Sequence, residues 1–348
     1  MVPGSGALPR ARNLAPPKRE APRRACPAEA RSAKAGGTGY AVGRPMPCDA
    51  HCHFFSSQFF AALARQRGRG EAASDLCREL AWDDPGTDEA LADRWVQELD
   101  RHGVSRAALI ASVPGDEASV GTAVTRHADR LVGFFMTDPS ADGAVERASH
   151  ALDRLGLRAI CLFPAMHHVA LTDPRVDALV HLAADRPGTT VFVHCGVLSV
   201  GVRGKLGLPS RFDLRLGDPL AVSRLALDYP HVPFVVPHFG AGLLRETLMA
   251  GEACANIHVD SSSSNRWMAH TPGLTLEAVL RSAVSVLGPA RVLFGTDSSF
   301  FPRGWQKGVY EQQLAAAEAA GLDEHARSQI FGGNFNRLFP AKPGSPKP

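Results

Sequence analysis

The feature that most constrains this chain is a rhythm: from residue 46 onward, short apolar runs alternate with longer segments of helical period. The runs fall at 48–55, 104–113, 131–136, 157–163, 190–195, 233–238, 255–260 and 291–297. Between them lie predicted helices at 88–101, 116–129, 142–155, 173–186, 218–229, 240–251 and 275–287, with two more at 306–320 and 323–338. In the first, Leu91, Trp95 and Leu99 recur at the spacing of one helix face. Strands separated by helical crossovers pair in parallel. Eight such units in roughly 290 residues match a (β/α)8 TIM barrel, an α/β fold. A doubly wound open sheet is the alternative, but no Gly-x-Gly-x-x-Gly or Walker-type loop supports it.

Composition narrows the function classes. Of the 348 residues, 45% are hydrophobic, enough for a substantial core, and no apolar run approaches the ~20 residues of a membrane span. The formal charge of +3 is misleading, because residues 1–45 hold nine Lys/Arg against Glu20 and Glu29. That segment carries +7 and the remaining chain −4, which gives no electrostatic reason for nucleic-acid binding. Residues 1–45 lack periodicity and are expected to be a disordered or mis-annotated extension, with Met46 as the start. The Arg23-Arg24 pair has no apolar segment after it that would make an export signal. A domain at 46–340 and a disordered tail at 341–348 complete the expected organisation. Seven cysteines without a Cys-x-x-Cys pair fit a reducing, cytoplasmic setting.

The chemistry starts at Asp49-Ala50-His51-Cys52-His53. On a strand, side chains repeat every second residue, so His51 and His53 share a face about 6.6 Å apart, with Cys52 opposite. Two neutral imidazoles so placed can converge on an ion at about 2.0–2.1 Å. Alone the pattern is weak. Three further polar residues, His194, His238 and Asp297, close the fifth, sixth and eighth runs. Taken singly, a strand-end histidine is more often a hydrogen-bonded structural residue, and an Asp before Ser-Ser more often a helix cap. In a barrel, however, all strand carboxyl ends open onto one face, which gathers the five around one point.

These residues sit in longer motifs: His194-Cys195-Gly196, the PHFGAG at 237–242, the FGTD at 294–297 and the closing IFGGNFNRLF at 330–339. Over residues 46–340 the chain resembles the amidohydrolase superfamily. The similarity is to the amidohydrolase-related branch that includes aminocarboxymuconate-semialdehyde decarboxylase and mononuclear lactonases. The resemblance implies one divalent metal, zinc with manganese as the alternative, on His51, His53, His194 and Asp297. It implies an acid/base or water-orienting role for His238, with Asp297 also taking a proton. Binuclear relatives carry a lysine at the end of strand four, and 156–164 contains none. Dihydroxybenzoate decarboxylases tend to have Glu where this chain has His51, a departure that makes a close match to them less expected.

Substrate contacts are expected from the loops. The stretch 196–217 carries Arg203, Lys205, Arg211 and Arg215 against Asp213, pointing to an anionic, carboxylate-bearing substrate. Phe54 and Phe55 are expected to wall the pocket, and Asp260 with the serines at 261–264 to contact substrate; His167 and His168 fit a surface role better. The leading expectation is a metal-dependent hydrolase acting on a small lactone or amide. The alternatives are a metal-dependent decarboxylase and a catalytically inactive binding barrel. The expected partner is a small molecule, with neither nucleic acid nor membrane, and a homodimer is the commonest assembly.

Overall fold

The computed structural model describes residues 46–263 and 265–341. Expectations for residues 1–45 and for the tail after 341 lie outside the described residues. Eight parallel strands run in sequential order: β1 (Cys48–Phe54), β2 (Arg106–Ala111), β3 (Leu131–Thr137), β4 (Ala159–Leu162), β5 (Thr190–Val193), β6 (Phe234–Val236), β7 (Ile257–Asp260) and β8 (Val292–Leu293). With helices between successive strands this is the (β/α)8 barrel that the rhythm implies. β8 pairs with β7 over only two positions, so the seam to β1 is closed by scattered bonds. The N–H groups of Ala50, Asp297 and His53 donate to the carbonyls of Phe294 (2.9 Å), His51 (2.9 Å) and Ser298 (2.7 Å).

Alternation along each strand sorts side chains into two layers. Ala50, Ile110, Phe134, Cys161 and Phe192 fill the barrel interior. Cys52, Phe54, Leu109, Ile160 and Val191 face the surrounding helices. The C-terminal run plugs the amino end of the barrel, where Phe339 packs 5.0 Å from Phe134. The predicted helix at 323–338 is therefore broken into Glu324–Ser328, a π turn at Gln329–Gly333 and Asn334–Leu338. Asn334 holds this junction by donating to the carbonyls of Pro289 (2.8 Å) and Val292 (2.7 Å).

The helix Asp88–His102 shows how local signals set the boundaries. Thr87 accepts the Ala90 N–H at its start, and Gly103, at φ 65°, ends it in the left-handed conformation. Two helices that the periodicity does not announce, Ser57–Arg67 and Ala73–Leu80, follow β1. Their Phe59, Phe60, Leu63 and Leu76 join Val202 and Leu206 of the loop after β5 in a separate apolar cluster over the carboxyl face. No helix among the described residues is long and apolar enough to cross a membrane.

Two glycines of the sequence motifs are explained by contact. Gly196, at φ 69°, lies so close to the loop after β6 that a Cβ would stand 2.1 Å from the Gly240 carbonyl oxygen. A Cβ on Gly240 would meet the Thr247 hydroxyl at 1.9 Å. The loops bearing His194 and His238 thus nest backbone to backbone. Gly196→Ala is expected to lower stability by about 2 kcal/mol or more, combining overpacking with a disfavoured φ, read as a lower urea midpoint.

Candidate metal centre

The barrel's carboxyl end brings His51, His53 and Asp297 together, their ligand atoms all within 4.8 Å of one another. The β1 pleat puts both imidazoles on the interior face, with ring centroids 5.2 Å apart. Each ring is turned by a bond to its Nδ1. His51 Nδ1 faces Asp260 Oδ2 at 2.8 Å, and His53 Nδ1 faces Ser112 Oγ at 2.8 Å. Both Nε2 atoms therefore point towards Asp297 Oδ1, at 4.0 and 3.0 Å. This is the arrangement in which an outer partner fixes the tautomer and aims the remaining lone pair at a metal.

Asp297 reaches the site because its backbone turns into the left-handed region, at φ 60°. Its side chain is 36% exposed, whereas Asp49 and Asp260 are fully enclosed. Burial works to raise its pKa, but the His53 bond and the neighbouring imidazoles prevail and hold the carboxyl low. Asp260 behaves similarly: burial is more than offset by His51, His238 and Ser262, leaving it at about 2.

His238 does not end β6 but follows it by two residues, in a turn at φ 57°. Its backbone N–H donates to Asp260 Oδ1 at 3.0 Å. Its Nδ1 lies 2.8 Å from Ser262 Oγ and 3.2 Å from the Ser262 carbonyl. The carbonyl can only accept, and the Ser262 hydroxyl already donates to Asp260 Oδ1 at 2.5 Å. Nδ1 must therefore carry the proton, which leaves Nε2 of the neutral ring as a lone pair. Burial lowers the pKa of His238 and, more strongly, of His194, so both favour the neutral form.

His194 follows β5 directly, stacks on Phe163 at 5.4 Å and stands 5.2 Å from the His238 ring. Its Nδ1 is buried without a hydrogen-bond partner. That unmet polar atom is available to a cation, although among the described residues the ligand atoms clustered with Asp297 are those of His51 and His53, without His194.

Other expected site residues lie elsewhere. Phe54 belongs to the outer layer against the helices, because it alternates away from His53; Phe55 takes the pocket side, 5.8 Å from the His53 ring. Arg203 is engaged by Gln66 (2.5 Å) and the Pro209 carbonyl (2.7 Å). Arg215 is 88% exposed and paired with Asp213 at 2.6 Å, and Arg211 is exposed. Asp260 orients His51 and is not open to substrate. Ser112 carried no sequence signal, and Ser262, one of the serines expected to contact substrate, instead bridges Asp260 and the His51 and His238 rings.

A sequential parallel barrel with a His/Asp cluster at its carboxyl end defines a metal-dependent class of barrel enzyme. Residues 48–341 match the amidohydrolase family, and the chain belongs to it. No curated protein matches the chain. Similar solved structures include an uncharacterised TIM-barrel protein from Bordetella bronchiseptica, with 17% identity, 84% of this chain and 98% of that one covered, and a TM-score of 0.59. A 5-carboxyvanillate decarboxylase from Novosphingobium aromaticivorans, complexed with manganese, shows 15% identity, 87% and 97% coverage and a TM-score of 0.58. A Pseudomonas putida protein assigned as a 2-pyrone-4,6-dicarboxylic acid hydrolase shows 17% identity, 85% and 98% coverage and a TM-score of 0.56. At these identities the likeness is one of fold.

The carboxylate that holds the His51 ring gives a graded test. His51→Ala is expected to abolish retention of zinc or manganese. Asp260→Asn, which keeps the contact but loses the charge, should weaken metal affinity about 10–100-fold in a chelator competition. Unchanged affinity in Asp260→Asn would remove Asp260 from the centre.

Proposed function

We propose that this protein is a metal-dependent hydrolase that opens a C–O or C–N bond in a small carboxylate-bearing lactone or cyclic amide. The observation that carries the reading is the direction of the His238 ring. Its N–H points inward to Ser262, so the neutral ring offers a proton acceptor and no donor. Asp297, ionised and open to solvent, offers a second acceptor nearby. Hydrolysis begins by taking a proton from water, which two acceptors favour. Decarboxylation ends by giving a proton to the carbon left behind, which a donor would favour.

His51, His53, His194 and Asp297 would hold one divalent ion, zinc by preference. When bound, it would supply Lewis-acid polarisation of the scissile carbonyl and of water. The protein's own part begins with orientation. The Nε2 lone pair of His238 accepts one O–H of the attacking water, and Asp297 accepts the proton as that water adds. Protonated Asp297 then returns the proton to the leaving oxygen or nitrogen, completing ring opening without net loss of the acid. Asp260 keeps His51 and His238 in register through its two oxygens, 2.8 Å from one ring and 3.0 Å from the backbone of the other. A decarboxylase with a related fold keeps the second reading in view, and the His238 tautomer weighs against it.

Metal-loaded protein offered a panel of lactones, cyclic amides and carboxylated aromatics is expected to release no CO2, and to release acid from a lactone or open a cyclic amide to an amino acid that keeps the proton on its amine. With a substrate found in this way, Asp297→Asn should reduce kcat about 10²–10⁴-fold. CO2 release without new acid would overturn the reading in favour of a carboxy-lyase.

A further inference from the structure

About half of the arginines among the described residues have carboxylate partners. Arg67 pairs with Glu79 at 2.6 Å, Arg94 with Asp83, and Arg215 with Asp213 at 2.6 Å. As is also true of Arg203 and Arg211, Arg303 at the barrel mouth has no such partner among the described residues. It lies six residues past Asp297, and its residue is solvent-exposed. Its hydrogen bonds go to neutral oxygens, Ser299 Oγ at 2.6 Å and the Asp297 carbonyl at 3.4 Å. No carboxylate among the described residues forms an ion pair with it.

The guanidinium is held in place as well as unpaired. It rests over the Phe300 ring, 4.4 Å from the centroid. Phe300 stacks on Trp82 at 3.7 Å and 9°, and Trp82 lies 6.1 Å from Phe55, the residue beside His53. The following backbone is pinned where Trp305 N–H donates to the buried Glu98 at 3.1 Å. A cation held on an aromatic face loses little freedom on gripping an anion.

We propose that Arg303, on the Phe300–Trp82 stack, forms an anion-binding subsite that takes a carboxylate of the substrate beside Asp297. The site is distinct from the strand-five loop, whose Arg203 and Arg215 are already engaged. Shape rather than charge favours a carboxylate over a phosphate dianion, because a second charge doubles the attraction to Arg303 and the repulsion from Asp297 alike. The planar two-oxygen fork of a carboxylate matches two guanidinium N–H groups. The inference rests on the proposed hydrolase only in taking Asp297 as the reacting centre.

Binding tests it without turnover. Calorimetry with benzoate, its neutral analogue benzamide and phenylphosphonate would be run on the full chain, both manganese-loaded and chelator-treated. Wild-type protein is expected to prefer benzoate over benzamide by about tenfold or more in both forms, with phenylphosphonate weaker than benzoate. Arg303→Met should erase that preference while benzamide binding persists, and Arg303→Lys should retain part of it. Circular dichroism and metal content, unchanged in both variants, establish that the fold is intact. The proposal is overturned if Arg303→Met binds benzoate as wild type does, or if wild type does not distinguish benzoate from benzamide. It is equally overturned if benzoate binding disappears with the metal alone. Failure of every lactone to hydrolyse would sink the reaction proposed above and leave this result standing.

Discussion

The structure depends on one buried carboxylate at the seam of the barrel. A closed barrel needs its last strand to meet its first, yet β8 is two residues long. Asp49 makes good the missing ladder. Its Oδ1 accepts the backbone N–H groups of His51 (2.9 Å) and Thr296 (3.1 Å). Its Oδ2 accepts the Thr296 hydroxyl (2.6 Å) and the Trp305 indole N–H (2.7 Å). One side chain thus joins the strand carrying His51 and His53 to the loop carrying Asp297. Removing it would leave three buried N–H donors unmet, the Thr296 hydroxyl keeping Ser298, and each such donor costs about 1–3 kcal/mol.

Three aspartates at this end of the barrel show how environment divides one residue type into three roles. Asp49 faces neutral donors only, so burial raises its pKa and the four bonds only partly offset this. Asp260 is as deeply enclosed, but it faces His51 and His238 and stays ionised at about 2. Asp297 faces the same imidazoles and opens to solvent, which makes it the carboxylate that water can reach. The first closes the fold and the second orients two rings. The third is left for chemistry.

What was legible in the sequence follows from what periodicity encodes. The strand rhythm gives the barrel, and the two-residue repeat puts His51 and His53 on one face. The same repeat, applied one step further, places Phe54 on the outer layer and Phe55 nearer the pocket. Treating the two as a pair overlooks that alternation. Asp260 shows another limit, because a strand end says that a side chain reaches the site but not whether it meets substrate or a ligand 209 residues away. His238 and Asp297 both have positive φ, so neither direction is set by strand alternation. Loop charge is the least legible: Arg203 and Arg215 look available in the sequence, but nearby acceptors engage them.

The helices at 57–80 and the loop after β5 add a final consequence. They pack on one another through their own apolar cluster, separate from the two that build the barrel. Their link to the metal centre runs through Phe55, which stacks on Phe59 at 3.9 Å and neighbours the His53 ring. Trp82 and Phe300 continue that aromatic path to the loop beyond Asp297. Ligand geometry is thereby fixed by buried carboxylates inside the barrel, while the walls that a substrate meets belong to a layer with its own core. Changes in that outer layer can reshape the mouth without disturbing the bonds of Asp49 and Asp260, because none of those bonds ends on a residue of the layer. Under the proposed function, reaction type and substrate choice are therefore physically separable: the first would be set by how His238 and Asp297 are held, the second by what stands over them.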